Sequence, residues 1–231
     1  MKNLYVISGV TGMTGSELSR QFVSQGHTVI GFDNFFASSI DTVKDIIDNP
    51  SFIFYNYDIN KVAQMDEVCD KAKELKIECD GRLVFINCAA RFANVYSRHE
   101  RFAEHIIPHI IDNLLESHTV TLLENSKVNK RTFLHNIDSC RAVMELIASE
   151  DALDGTVYNV ATEEEIAIID LVKTIAIKMG INDVDIRFEG YRKSDPERRL
   201  LNTDKIRTRT SWKPIITLDE GLTMCVSGIK K

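Results

Sequence analysis

The sequence predicts an α/β fold built on a doubly wound parallel sheet. Three observations carry this: short apolar runs alternate with stretches of helical periodicity, the first run ends in a glycine turn that opens a helix, and acidic residues close the next two runs. Leu4 to Ser8 is the first strand, and Ser16 to Ser24 carries Leu18, Phe22 and Val23 at helical spacing before Gly26 closes the turn. Thr28 to Phe32 reads as a buried strand, Ile40 to Ile47 as a short helix, Phe52 to Tyr57 as a third strand, Val62 to Leu75 as a helix and Leu83 to Cys88 as a fourth strand. Such βαβ units imply right-handed crossovers. The second half is less regular. Helices are expected at Phe102 to Leu115, Ile137 to Ala148, Ile166 to Met179 and from Leu218, with strands at Thr119 to Leu123, Thr156 to Val160 and Asp185 to Glu189.

The chain of 231 residues, 44% of them hydrophobic, suffices for one sizeable core or a domain with a small lobe. No Gly/Ser/Pro linker divides it, so two closely packed lobes are expected, residues 1–97 and 98–231. Twenty-eight basic against 34 acidic residues give a net charge of −6, which argues against a nucleic-acid binder. The five cysteines, Cys69, Cys79, Cys88, Cys140 and Cys225, are scattered without zinc-like spacing and read as reduced, mostly buried thiols. Met1 and Lys2 lead straight into an apolar run too short for a signal or a membrane span, so a cytoplasmic protein without membrane attachment is expected.

Gly9-Val10-Thr11-Gly12-Met13-Thr14-Gly15 sets three glycines at GxxGxxG spacing between strand and helix. Glycine permits the tight turn and the approach of a pyrophosphate, whose charge meets the helix N-terminus. Asp33, with Asn34, follows the second strand, where a carboxylate accepts hydrogen bonds from a ribose and repels a 2′-phosphate; NAD is favoured over NADP. Asp58 ends the third strand, placed to meet an adenine amino group while Ile59 packs on the ring. Taken singly, these acids serve equally well as caps or turn residues. Together with the glycines they indicate a Rossmann-type dinucleotide site, and the tail, with Trp212-Lys213-Pro214 and a last helix from Leu218, reads as a small C-terminal lobe.

Further segments, in order, make the sequence resemble the extended short-chain dehydrogenases of the NAD-dependent epimerase/dehydratase family, which remodel nucleotide sugars. They are Phe85 to Ala90, with Cys88, Ala89 and Ala90 as the small residues expected against the cofactor; Arg91 to Tyr96, with Asn94 as a diphosphate contact; and Lys130 to Phe133, leading to Asn136-Ile137-Asp138. Val157 to Val160, Ser194 to Arg199, Trp212-Lys213-Pro214 and Leu218 to Gly221 complete them. The resemblance implies NAD, a small C-terminal substrate lobe, a nucleotide-sugar substrate gripped by Arg131 and by at most one of Arg198 and Arg199, and a homodimer. It also implies a helix bearing Tyr-x-x-x-Lys, whose tyrosine serves as base beside the nicotinamide.

That helix and the strand before it are not found between Ala90 and Arg91. Neighbouring parallel strands need a crossover of roughly a dozen residues, so a chain break is expected there. The catalytic residues are therefore unassigned, and two functions stand side by side: a sugar-nucleotide epimerase or 4,6-dehydratase, and a catalytically silent NAD- or nucleotide-binding relative. One Tyr-x-x-x-Lys exists, Tyr57 to Lys61, but it spans a strand end and reads as coincidence. His105 and His109, at i and i+4 around Pro108, lack a third ligand and read as a lobe-interface feature, with no metal expected. Trp212 is expected in the core.

Overall fold

The computed structural model describes residues 1–36, 38–86, 90–98, 105–152 and 156–227. They form two compact units, Met1–Cys88 and Ala89–Lys231, dividing ahead of the boundary expected at residue 97.

In the first unit β1 (Leu4–Ser8), α1 (Met13–Ser24), β2 (Thr28–Phe32), β3 (Phe52–Tyr55), α2 (Val62–Lys76) and β4 (Leu83–Ile86) follow one another. All three strand pairings are parallel, and the order is β3-β2-β1-β4. The chain winds outward from β1 to β3, then returns to lay β4 on the other side of β1, creating a switch point beside the end of β1. Alternation sends Leu4 and Val6 toward Val68 and Ala72 of α2, while Tyr5 stacks on Phe22 of α1 with ring centroids 3.7 Å apart. Both faces of the sheet are thus covered.

Two boundaries differ from expectation. Residues 40–47 form a 3-10 turn at Ile40–Val43 and then further turns, because Asp41, Asp45 and Asp48 interrupt the apolar stripe and only Val43 and Ile46 are buried. β3 stops at Tyr55, where the Tyr57 N–H folds back to the Tyr55 carbonyl at 3.1 Å. Residues 87–89, including Asn87, Cys88 and Ala89, lie outside the described residues.

His27 ties β2 to the strand beside it: its Nδ1 accepts the Asn3 N–H at 3.2 Å, and its ring meets Tyr5 edge-on. Burial, followed by the positive chain amino terminus, pulls its pKa below the ordinary 6.5. A histidine with a depressed folded-state pKa contributes stability that is complete above about pH 6.5 and is lost as pH falls through the folded value. Urea melts of the wild type are therefore expected to weaken more steeply between pH 7 and 5 than those of His27→Gln; parallel slopes would remove the argument.

The second unit contains β5 (Ala90–Phe92), β6 (Asn94–Tyr96), α3 (Ile106–Ser117), β7 (Thr119–Leu122), β8 (Lys130–His135), α4 (Asn136–Ala148), β9 (Tyr158–Val160), β10 (Glu165–Ala167), α5 (Ile168–Lys178), β11 (Asp185–Phe188), β12 (Arg198–Arg199), α6 (Asp204–Arg209) and α7 (Leu218–Ser227). β8 is its hub, parallel to β6 and β12 and antiparallel to β10. β7 pairs with β11, and β5 with β9. Ile107, Ile110 and Leu114 of α3 pack with Leu171, Val172 and Ile175 of α5 and Leu222 of α7 in one core. Trp212, 1% exposed, anchors a second core with Leu134, Val160 and Ile206.

The helix expected from Phe102 begins at Ile106 among the described residues, with Pro108 in its first turn, where no intrahelical N–H is required. The helix expected from Ile166 begins at Ile168, because residues 165–167 extend along β8. The break expected between Ala90 and Arg91 is not there: they are consecutive in β5, opposite Tyr158 and Asn159. β4 pairs with β1 and β5 with β9, so these two strands are not ladder neighbours, and the crossover requirement does not apply between them. Among the described residues no helix is long and apolar enough to cross a membrane.

Candidate functional site

The first unit gathers its candidate site residues at the carboxyl ends of β1, β2 and β3, the edge at which open α/β sheets place their ligands. Gly9 has φ +66°, a left-handed conformation that glycine adopts without strain. The N–H groups of Gly9 and Val10 donate to the Phe32 carbonyl at 3.0 and 3.3 Å, tying the turn to the end of β2. Gly15 lets α1 approach the turn: a Cβ there would stand 2.3 Å from the Gly9 carbonyl oxygen. Gly12 caps α1 without a side-chain hydrogen bond, and no acidic residue lies in the first turn. The positive end of the helix dipole is therefore left for an anion. Thr11 is fully buried, and Met13 and Thr14 open the helix.

Asp33 follows β2 and is 8% exposed. Its two carboxylate oxygens accept the Thr11 N–H at 3.1 Å and the Phe35 N–H at 2.9 Å, and the Asn56 amide holds its carbonyl at 2.9 Å. Asn34 accepts the Phe36 N–H. Asp58 follows β3 and is held below the usual carboxylate range, first by the Asn60 backbone N–H, then by the side chains of Asn60 and Asn34 and the charge of Lys61. Ile59 lies half-exposed beside a cavity of about 220 Å³ walled by Phe32, Met65, Val68, Phe85 and Ile86.

Two groups of residues escaped the sequence reading. Ser38 and Thr42 close on Thr11, whose hydroxyl lies 2.6 Å from that of Ser38 and whose carbonyl accepts the Thr42 hydroxyl at 2.7 Å. They lie far along the chain, Ser38 in a loop and Thr42 in the 3-10 turn that follows it. Gly31 lets β2 pass Val10, since a Cβ there would lie 2.5 Å from a Val10 methyl. Its signal was visible, a glycine inside an apolar strand marking close approach.

The second unit holds the remaining candidates. Arg131 is buried, and its guanidinium donates to Asp195 at 2.9 Å and to the Lys130 and Glu197 carbonyls at 2.7 and 3.2 Å. Arg199 reaches the same Asp195 oxygen at 3.0 Å, and the Asn129 amide takes the other at 2.6 Å. Arg198 pairs instead with Glu165. The exposed Asn94 donates to the Thr132 carbonyl at 3.0 Å. The structure thus gathers Arg131, Asp195 and Arg199 and leaves Arg198 and Asn94 apart from them. Ala90, expected on the fourth strand, belongs to β5.

Tyr57 does not share a helix face with Lys61. It lies beyond β3 and its hydroxyl donates to Glu67, the main cause of its raised pKa, whereas Lys61 is the N-cap of α2. His109 packs within the second unit, its Nε2 donating to the Thr121 carbonyl of β7 at 3.0 Å. Among the described residues no three His, Cys, Asp or Glu side chains converge as a metal site.

Comparison with known proteins agrees with this architecture. A family profile described as GDP-mannose 4,6 dehydratase matches residues 82–225, and one described as NAD dependent epimerase/dehydratase family matches residues 5–77. A dTDP-glucose 4,6-dehydratase of Streptomyces niveus is 27% identical over 132 residues, 57% of this chain but only 38% of that enzyme. Among solved structures, dTDP-glucose 4,6-dehydratase from Bacillus anthracis in complex with NAD superposes with a TM-score of 0.82 at 18% identity, over 98% of this chain and 96% of that one. UDP-glucose 4-epimerase with UDP-glucose from Thermotoga maritima gives 0.77 at 16% identity, over 97% of each chain. At such identities the two structures establish a shared α/β Rossmann-like fold. The GDP-mannose 4,6-dehydratase match, over residues 82–225, spans more than half of the chain, which therefore belongs to the NAD-dependent epimerase/dehydratase family.

Proposed function

We propose that the protein binds NAD in its first unit and acts on a nucleotide sugar by oxidoreduction at the sugar ring, as an epimerase or a 4,6-dehydratase. The observation that carries this reading is the Asp33 carboxylate, held by the Thr11 and Phe35 amides beside the glycine turn. Gly9, Thr11, Gly12, Met13, Thr14 and Gly15 would bind the pyrophosphate, Asp33 and Asn34 the adenosine ribose, and Asp58 and Ile59 the adenine. Bound NAD supplies a hydride acceptor and donor. The chain's own part is to orient it through the turn and to reject a 2′-phosphate with a buried charge. Asn94, Arg131 and at most one of Arg198 and Arg199 are assigned to the nucleotide diphosphate.

A titration of the purified protein tests the reading. NAD is expected to bind at least about tenfold more tightly than NADP, since a phosphate beside a buried carboxylate is strongly disfavoured; equal affinities would overturn it. A second reading, an NAD-binding relative without catalysis, rests on the absence, among the described residues, of a helix bearing Tyr-x-x-x-Lys. NAD binding without turnover of dTDP-glucose, UDP-glucose or GDP-mannose favours that second reading. An intact mass of the native protein above 26.2 kDa favours the enzyme.

A further inference from the structure

Phe35 adopts φ +57°, one of three non-glycine residues with positive φ among those described. A bulky side chain is strained in the left-handed region, where glycine or asparagine would sit more easily. Backbone strain of this kind persists only where surrounding contacts enforce it, and it concentrates at ligand clamps. Two contacts enforce it here. The Phe35 ring packs on Phe54 of β3, with centroids 5.7 Å apart. Its N–H turns back to Asp33 Oδ1 at 2.9 Å, while the Thr11 N–H holds Oδ2.

The Thr11 bond alone leaves the carboxylate free to swing about Oδ2. The second bond, from a backbone amide whose direction the left-handed turn sets, fixes the carboxylate plane. Asp33 then stands with both oxygens anchored before any ligand arrives, and a preorganised acceptor spends less of its binding energy on ordering. The glycine that would relax residue 35 would also loosen this anchor.

We propose that Phe35 is a positioning residue for cofactor selection: its strained turn, clamped on Phe54, aims the Asp33 carboxylate at a ribose cis-diol and against a 2′-phosphate. The proposal rests on the NAD reading above. Its action runs through Asp33, so its mark is a change in the preference between two cofactors that differ by one phosphate, which a general loss of folding would not produce.

The test is paired titration of NAD and NADP with wild type, Phe35→Gly and Phe35→Tyr. F35G keeps the backbone N–H but removes the ring that holds the turn against Phe54, so the anchor is loosened and the NAD dissociation constant is expected to rise several-fold, up to about tenfold. NADP affinity is expected to hold or improve, so the preference collapses; F35Y, which keeps the ring, retains it. A preference in F35G within twofold of wild type overturns the proposal while leaving NAD binding intact. A wild type that does not favour NAD overturns the underlying reading and this proposal with it. Should F35G melt well below wild type, Phe54→Leu removes the clamp without touching residue 35. It is expected to lower the preference in the same direction, and an unchanged preference there overturns the proposal.

Discussion

Gly15→Ala is expected to destabilise the protein by about 3 kcal/mol, the cost of forcing a methyl group into a filled backbone contact, and to abolish NAD binding. The added Cβ would meet the Gly9 carbonyl oxygen at 2.3 Å and the Val10 Cα at 2.9 Å. Both are backbone atoms of a turn tied to Phe32, so neither can move aside as a flexible side chain could. Gly12→Val is the informative contrast. A Cβ at residue 12 meets only the Gly9 oxygen, at 3.1 Å, and its φ of −68° with ψ 167° suits a β-branched side chain. Gly12→Val is therefore expected to keep a near-wild-type urea midpoint while losing cofactor, because its methyls occupy the approach of the pyrophosphate. A midpoint for Gly15→Ala within about 1 kcal/mol of wild type would show that α1 does not depend on this contact. Unaltered NAD affinity in Gly12→Val would show that the site is misplaced.

Asp138→Ala is expected to cost about 2–3 kcal/mol, since it strands two part-buried backbone donors and removes a buried carboxylate from its paired arginine. The Asp138 side chain is wholly buried at the start of α4. One oxygen accepts Arg141 Nη1 at 2.8 Å, and the other accepts the N–H groups of Ile215 and Ile216 at 3.0 and 2.9 Å. The Asp138 carbonyl accepts the Trp212 indole N–H at 3.0 Å. One residue thus holds the segment from Trp212 to Ile216 against α4. Trp212 is the chain's single tryptophan, so its fluorescence reports this corner directly: Asp138→Ala is expected to lower the urea midpoint and shift the native emission to the red. Asp138→Asn, which retains one acceptor oxygen, is expected to fall between. Wild-type stability with unchanged emission in Asp138→Ala would mean that other contacts seat the tryptophan.

The first unit was largely legible from residue order because its signals are local. An apolar strand, a glycine turn and an amphipathic helix each lie within a few residues, and the period of each declares its type. The glycines were read correctly as a turn, but their division of labour was not. Which glycine faces backbone and which faces open space depends on where β2 and α1 sit. Ser38 and Thr42, some 30 positions beyond Thr11, carry no local mark of their approach to it.

The second unit was read less well, for a physical reason that β8 illustrates. Lys130 and Arg131 break any alternating pattern, yet the strand forms because the Arg131 charge is taken up by Asp195, more than 60 residues away. A charge is admitted to the interior when a distant partner arrives, and no window of sequence contains both. The same applies at residue 90, where the expected break presumed that the strands on either side are neighbours.

What the sequence by itself determined was the α/β class, the position of the glycine turn and the carboxylates after β2 and β3, because these follow from periodicity, glycine's freedom and strand ends. Tertiary structure alone decided which oxygen of Asp33 meets which amide, that Arg131 is bound inside its own unit, and that β5 pairs with β9. Those outcomes depend on long-range pairing, whose partners are chosen by burial and hydrogen-bond satisfaction over the whole fold rather than by neighbours along the chain.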